Sequence, residues 1–278
     1  MSIHPLAGKP VPPDLLIDVD ALVAAYHDIK PDPEDILQKV SFGTSGHRGS
    51  SLDGRFNESH ILATAQAICD YRISAGIKGP LFVGKDTHAL SNPATDTTLE
   101  VLAANGVEAR YQGHGGFTPT PVISNAILSF NRRSKGDLSD GIVITPSHNP
   151  PRDGGFKYNP PSGGPAGSDI TDWVEKRANE YLSKGLKGVK RFALGKALTS
   201  KNVQATDFKE SYILGLQEVI DFDSIRSSGL KIGADPLGGA GTFYWARIAE
   251  KYGIQLSVVN EEVDPTFSFM RVDWDGKI

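Results

Sequence analysis

The sequence predicts an α/β fold: a mixed, largely parallel sheet sandwiched by helices, plus the start of a second similar α/β domain. Three observations carry this. Between residues 41 and 147, short β-branched runs alternate with longer segments of helical apolar spacing, in the order strand, helix, strand, helix, strand, helix, strand. The runs Leu81-Phe82-Val83 and Gly141-Ile142-Val143-Ile144 carry no charge, as strands covered on both faces require. A fresh strand–helix–strand pattern then opens after a lysine-rich, glycine-punctuated stretch at 185–200. That places a boundary between about 195 and 206. The expected organisation is an N-terminal arm and helix over 1–40, a first α/β domain over 41–200, and the beginning of a second over 206–278.

Each element has its own signal. Residues 1–13 are punctuated by proline and glycine and read as an arm. Leu16, Val19, Leu22, Val23 and Tyr26 predict an amphipathic helix over 15–26, ended by Pro31 and Pro33. Asn57 caps a helix over 58–74 that carries Ile61, Leu62, Ala65, Ile68 and Cys69, and Gly76 stops it. Asn92 and Pro93 start another helix, which runs to Asn105-Gly106, and a strand around 107–111 follows. Thr118-Pro119-Thr120-Pro121 combines a capping threonine with proline at the first helical position. A helix from Ser168 presents Ile170, Trp173, Val174, Tyr181 and Leu182 on one face. Asp207 and Glu210 have the spacing of a capping box for the next helix. Strands over 230–234 and 254–259 flank a helix over 242–251. The glycine-rich turn at 235–241 lacks the spacing of a dinucleotide fingerprint and reads as structural.

Composition narrows the function. With 39% hydrophobic and 22% charged residues over 278 positions, the chain has the balance of a soluble globular protein. A net charge of −4 gives no reason to expect nucleic acid or an anionic membrane as partner. No apolar run approaches the roughly 20 residues needed to span a bilayer. The N-terminal stretch lacks a basic region followed by an apolar core, so no signal peptide is expected. Cys69 is the single cysteine, which rules out an internal disulfide, fits a reducing cytoplasm and reads as a core residue. Oligomeric state is not legible.

The chemistry concentrates in residues 141–158, GIVITPSHNPPRDGGFKY. A short buried strand breaks into a proline-flanked loop that holds Ser147 at the strand's carboxyl end, where open α/β sheets place ligands. A second turn is expected at Asp153-Gly154-Gly155, before Phe156 and Lys157. The stretch SFGTSGHRG at 41–49 packs three glycines, hydroxyls and a cation into nine residues. Successive amides in such a turn make an anion-binding nest, and Arg48 offers a bidentate contact to phosphate.

At these residues the chain resembles the α-D-phosphohexomutase superfamily. T-P-S-H-N-P at 145–150, followed by G-G-F-K at 154–157, is similar to that family's phosphoserine loop. F-G-T-S-G-x-R-G at 42–49 is similar to its opening signature, and T-P-x-P at 118–121 to another of its elements. The H-R-G form, with D-P-L-G-G at 235–239, resembles the bacterial glucose-specific branch. The resemblance runs over essentially the whole chain, which looks like about the first half of the family's enzyme.

The resemblance implies a phosphoglucomutase, interconverting glucose 1-phosphate and glucose 6-phosphate through glucose 1,6-bisphosphate. Ser147 would be the phosphoserine, with Lys157, His148 and Arg48 as further catalytic residues. Thr44, Ser45, Gly46, His47, Arg48 and Asn149 would bind substrate and phosphate. Lys157 would act as general acid or base, its pKa lowered by Arg48 nearby. His148 either orients the serine phosphate, serves as an acid–base partner, or is a loop residue bonded to backbone. His88 stands where the wider superfamily often has arginine, so no catalytic role is carried over to it.

The family also uses Mg²⁺, bound by the serine phosphate and three aspartates of a D-x-D-x-D segment. That segment is absent, and Asp273 and Asp275 in D-W-D have no third member, so only Ser147, through its phosphate, is assigned to metal. The sugar- and phosphate-binding loops of the family's later domains are absent too. Little or no turnover is therefore expected of this chain alone, and its incomplete second domain is expected to depend on further sequence. Three alternatives remain: a mutase for another hexose phosphate such as phosphomannomutase, a non-catalytic phosphosugar-binding remnant, and a serine hydrolase. The last is disfavoured because adjacent Ser147 and His148 form no G-x-S-x-G elbow.

Overall fold

The computed structural model describes residues 3–43 and 46–278. Its main sheet has six strands: β1 (His47–Ser50), β2 (Leu81–Lys85), β3 (Ala109–Gln112), β4 (Asp140–Ile144), β5 (Asp153–Asn159) and β6 (Val203–Thr206). Their spatial order is β1-β5-β4-β2-β3-β6. The four strands from β4 to β6 are parallel to one another, whereas β5 pairs antiparallel with both β4 and β1. The predicted mixed sheet is thus present. β6 extends it into residues that the sequence reading left between its two domains.

Strand alternation explains the layers. Leu81, Val83, Ile142 and Ile144 point into one core, with helices α2 (Glu58–Ser74), α3 (Ser91–Ala104) and α5 (Ser168–Ser183). Phe82 and Val143, one position out of phase, point into a second core with Ile123 and Ile127 of α4 (Thr120–Arg133). Full burial of each such aliphatic side chain contributes about 1.5–3 kcal/mol. Small residues let α4 sit close: a Cβ on Gly84 or Gly141 would come within 2.8 or 2.6 Å of Ile123. Cys69 is buried on α2 as expected, and burial pushes its thiol up to about 12.

Helix α1 (Val19–Asp28) starts four residues later than the periodicity suggests, because Asp18 caps it by accepting from the Ala21 amide. Asn57 caps α2, and His60 completes the turn by accepting from the Asn57 amide at 3.0 Å. The expected capping box at Asp207 does not form. Asp207 accepts from the Lys209 amide, while Glu210 turns away to pair with Arg247.

After short helices α6 (Leu194–Leu198), α7 (Lys209–Gly215) and α8 (Phe222–Ser227), a second sheet begins. It consists of the parallel pair β7 (Ile232–Ala234) and β8 (Leu256–Val258), joined through α9 (Trp245–Tyr252). Phe208, Ile213, Phe222, Tyr244 and Tyr252 attach this unit to the α4 side of the main sheet. Among the described residues, no helix is long and apolar enough to cross a membrane.

Candidate active site

Ser147 sits in the connection that turns β4 back into β5. The hairpin stays paired just beyond β4, where the Thr145 amide donates to the Gly155 carbonyl at 2.8 Å. Two residues on, Ser147 adopts φ +74°, a left-handed conformation that costs a non-glycine residue on the order of 1–3 kcal/mol. Its amide donates to Thr145 Oγ1 at 3.0 Å. Its side chain is exposed, with Oγ 3.5 Å from His148 Nδ1. The chain thus spends backbone strain on holding one hydroxyl out at a strand end.

A cavity of about 340 Å³ opens at this hydroxyl. Ser147, His148 and Asn149 line it, together with Leu237, Phe267 and Met270 of the second unit. Phe267 is itself left-handed, at φ +53°. Its turn is tied down by Asp264, whose carboxylate accepts from the Thr266 and Ser268 amides.

Two cations stand behind the serine loop on neighbouring strands. Arg48 of β1 lies opposite Gly155, and its Nε donates to the Pro146 carbonyl at 3.2 Å. Lys157 of β5 is half-buried. Burial first and the Arg48 charge second lower its pKa, with Asp86 opposing the shift. Lys157 opens onto a smaller adjoining cavity of about 90 Å³ together with Gly46. Thr120 lines both cavities. Gly46, at φ +121°, is required there, because a Cβ would stand 2.4 Å from the Phe156 carbonyl.

The predicted residues therefore divide. Ser147, His148 and Asn149 share the main cavity; Arg48 braces the serine loop; Lys157 and Gly46 face the adjoining space. Asn149 also donates to Asp153 at 3.0 Å. The His47 side chain does not join them. Its ring is buried against Phe56 and His60, and burial lowers its pKa to about 3. A neutral core imidazole is no phosphate-binding cation. Thr44 and Ser45 lie outside the described residues.

Asp86 escapes the sequence reading, which left His88 without a role and named Thr145 only as part of its motif. Asp86 accepts from the Thr145 hydroxyl at 2.6 Å, from Ser91 Oγ at 2.6 Å, and from the His88 amide and ring, each at 3.0 Å. These bonds hold its carboxyl below the usual range in spite of burial. The only sequence signal is that G-K-D-T-H ends a strand. Among the described residues, no three His, Cys, Asp or Glu side chains gather as a metal site.

Family models describe both halves of this arrangement. Phosphoglucomutase/phosphomannomutase, alpha/beta/alpha domain I, matches residues 39–184, and domain II of the same family matches 210–275. The chain belongs to the phosphoglucomutase/phosphomannomutase family. A phosphoglucomutase from Komagataeibacter xylinus is 59% identical over 277 residues, covering 100% of this chain and 50% of its own length. Phosphoglucomutase 1 from Saccharomyces cerevisiae is 31% identical over 280 residues, covering 92% of this chain and 45% of its own. A cytoplasmic phosphoglucomutase from Mesembryanthemum crystallinum is 31% identical over 198 residues, covering 66% and 34%. The chain thus spans about half the length of the curated relatives it matches. The fold is shared with the crystal structure of pp63/parafusin, a phosphoglucomutase from Paramecium, at TM-score 0.66 and 21% identity, covering 88% of this chain and 46% of that one.

Proposed function

We propose that this chain forms the phosphoserine-bearing part of a phosphoglucomutase. Ser147 carries a phosphoryl group in the resting protein and passes it to a hydroxyl of glucose 1-phosphate or glucose 6-phosphate. The glucose 1,6-bisphosphate so formed returns its other phosphoryl group to Ser147. The observation that carries this reading is the strained presentation of an exposed Ser147 hydroxyl at the main cavity, with Arg48 bonded to the loop behind it.

A phosphoryl group in flight spreads negative charge over its equatorial oxygens, so catalysis rests on positioning and nearby positive charge. Arg48 supplies charge at the loop, and Gly46, Thr44, Ser45 and Asn149 supply amides and polar groups for phosphate. Lys157, its ammonium destabilised by burial and Arg48, exchanges the proton of the sugar hydroxyl. His148, beside the Ser147 hydroxyl, orients the phosphate. Mg²⁺, when bound at the Ser147 phosphate, would supply charge neutralisation. The substrate is a hexose phosphate. Glucose is favoured over mannose because the curated relatives named above are phosphoglucomutases.

A cytoplasmic setting fits the single buried cysteine. We divide the chain into an arm and helix over 1–40, a first domain from 41 and a second over 206–278. Pairing of β6 with β3 supports extending the first domain through Thr206, so that the second begins just after it.

The test is a peptide mass map of the purified chain before and after incubation with glucose 1,6-bisphosphate and Mg²⁺. One added phosphoryl group on the Ser147 peptide, absent from Ser147→Ala, is the expected result. An unmodified Ser147 in a demonstrably folded chain would overturn the assignment.

A further inference from the structure

We propose that Asp86 and Thr145 are positioning residues for Ser147, acting through a clamp that grips the serine loop at both ends. The inference rests on the proposed role of Ser147, but the clamp itself is a matter of hydrogen-bond direction.

The first arm runs through Thr145. A hydroxyl has one hydrogen to give and two lone pairs. The Thr145 hydroxyl lies 2.6 Å from Asp86 Oδ2, which only accepts, so its hydrogen points there. A lone pair is then left facing the Ser147 amide, 3.0 Å away. Asp86 therefore fixes which way the threonine hydroxyl is turned, and the threonine in turn stabilises the left-handed Ser147 backbone.

The second arm runs through His88. Its Nδ1 faces the same Asp86 Oδ2 at 3.0 Å and its Nε2 faces the Asn149 carbonyl at 3.0 Å. Both neighbours are acceptors, so each ring nitrogen is placed to donate, and the Asp86 carboxylate outweighs burial in raising the pKa of the ring. The loop is thereby fixed just before and just after Ser147. Asp86 itself cannot drift: its amide donates to the Ile144 carbonyl, and its other oxygen takes the Ser91 hydroxyl and the His88 amide. The partners come from the ends of β2 and β4, adjacent parallel strands, so the rigid sheet sets their separation.

The role predicts a difference between two conservative changes. Thr145→Val keeps the shape and loses the hydroxyl; Thr145→Ser keeps the hydroxyl. In the full chain, transfer from glucose 1,6-bisphosphate to Ser147 should slow by about tenfold or more in Thr145→Val and Asp86→Asn, the loss expected of one hydrogen bond to a charged partner. Thr145→Ser should stay within about threefold of the unchanged chain, since the bond survives. Amide exchange of the 145–152 peptide should rise in Thr145→Val and Asp86→Asn but not in Thr145→Ser, with exchange across β2 unchanged in all three. Thr145→Val that labels and exchanges like the unchanged chain would overturn the clamp. Failure of the unchanged chain to label would count against the phosphoserine reading instead, and loop exchange would still decide the clamp.

Discussion

His47 and Arg48 are neighbours in sequence with opposite environments. On β1, successive side chains leave opposite faces. Arg48 reaches the Pro146 carbonyl, while His47 is enclosed with only 2% of its surface exposed. Its ring stacks on Phe56 at 5.8 Å and lies 5.0 Å from His60. Burial, with His60 adding to it, lowers His47 to about 3; burial lowers His60 to about 4. Both rings are neutral in the fold and gain a proton on unfolding, where the ordinary value is about 6.5. Their contribution to stability is fully present above about pH 6.5 and is lost as the pH falls towards 4 and then 3. Urea unfolding at pH 7 and pH 5 should therefore show a steeper loss for the unchanged chain than for His47→Gln, by up to about 1.4 kcal/mol per pH unit. Equal losses would mean that His47 titrates normally. The sequence had the alternation that hides His47, but a run of glycines and hydroxyls reads as a loop, and a loop has no faces. Ser147 and Arg48 were legible because short motifs carry them. Asp86 was not, because Thr145 and Asn149 lie 59 and 63 positions away, and only the sheet brings them near.

The β4–β5 hairpin shows the same limit for an element. Asp153-Gly154-Gly155 has turn composition, yet these residues open β5. Glycine is present there for close approach and not for its freedom of φ. A Cβ on Gly155 would stand 2.1 Å from the Thr145 carbonyl oxygen and 2.5 Å from Pro146 Cα, both backbone. A Cβ on Gly154 would stand 2.4 Å from the Phe56 ring. Gly155→Ala must push the serine loop off its strand, at a cost of about 1–3 kcal/mol. Gly195→Ala is the control: it lies in α6, and nothing stands within 4 Å of its Cβ position. That change should leave stability equal or raise it by up to about 1 kcal/mol. Thermal melts of the two variants check this, and a Gly155→Ala chain as stable as the Gly195→Ala chain would refute the close-approach account. Helix α2 and the start of α5 were legible because a periodic stripe is a property of the segment alone. β5 was not, because what selects glycine there is another segment's backbone.

At the scale of the molecule, the two sheets differ in what covers them. β2 and β4 are filled on both faces, and each has a strand on either side. β7 and β8 pair only with each other among the described residues, and none of their residues is fully buried. Around them Leu230 is 62% and Val259 55% exposed. A two-stranded sheet is marginal in water unless something packs on it. The second unit does have an anchor, since Phe222 stacks on Tyr252 at 3.6 Å and both join the α4 core. That anchor holds the helices and leaves the strand pair outside. Stability should therefore be graded along the chain, with local opening of β7 and β8 well below the global free energy. In amide hydrogen exchange, peptides covering 232–234 and 256–258 should exchange long before those covering 81–85 and 140–144. Peptides covering α8 and α9 should fall between them. The Ser147 loop should exchange with the first sheet and not with the second, because its clamp is built from β2 and β4. Uniform protection across both sheets would mean that the second unit opens only when the first does. The part of the cavity lining supplied by Leu237, Phe267 and Met270 would then be as rigid as the serine loop that shares the cavity.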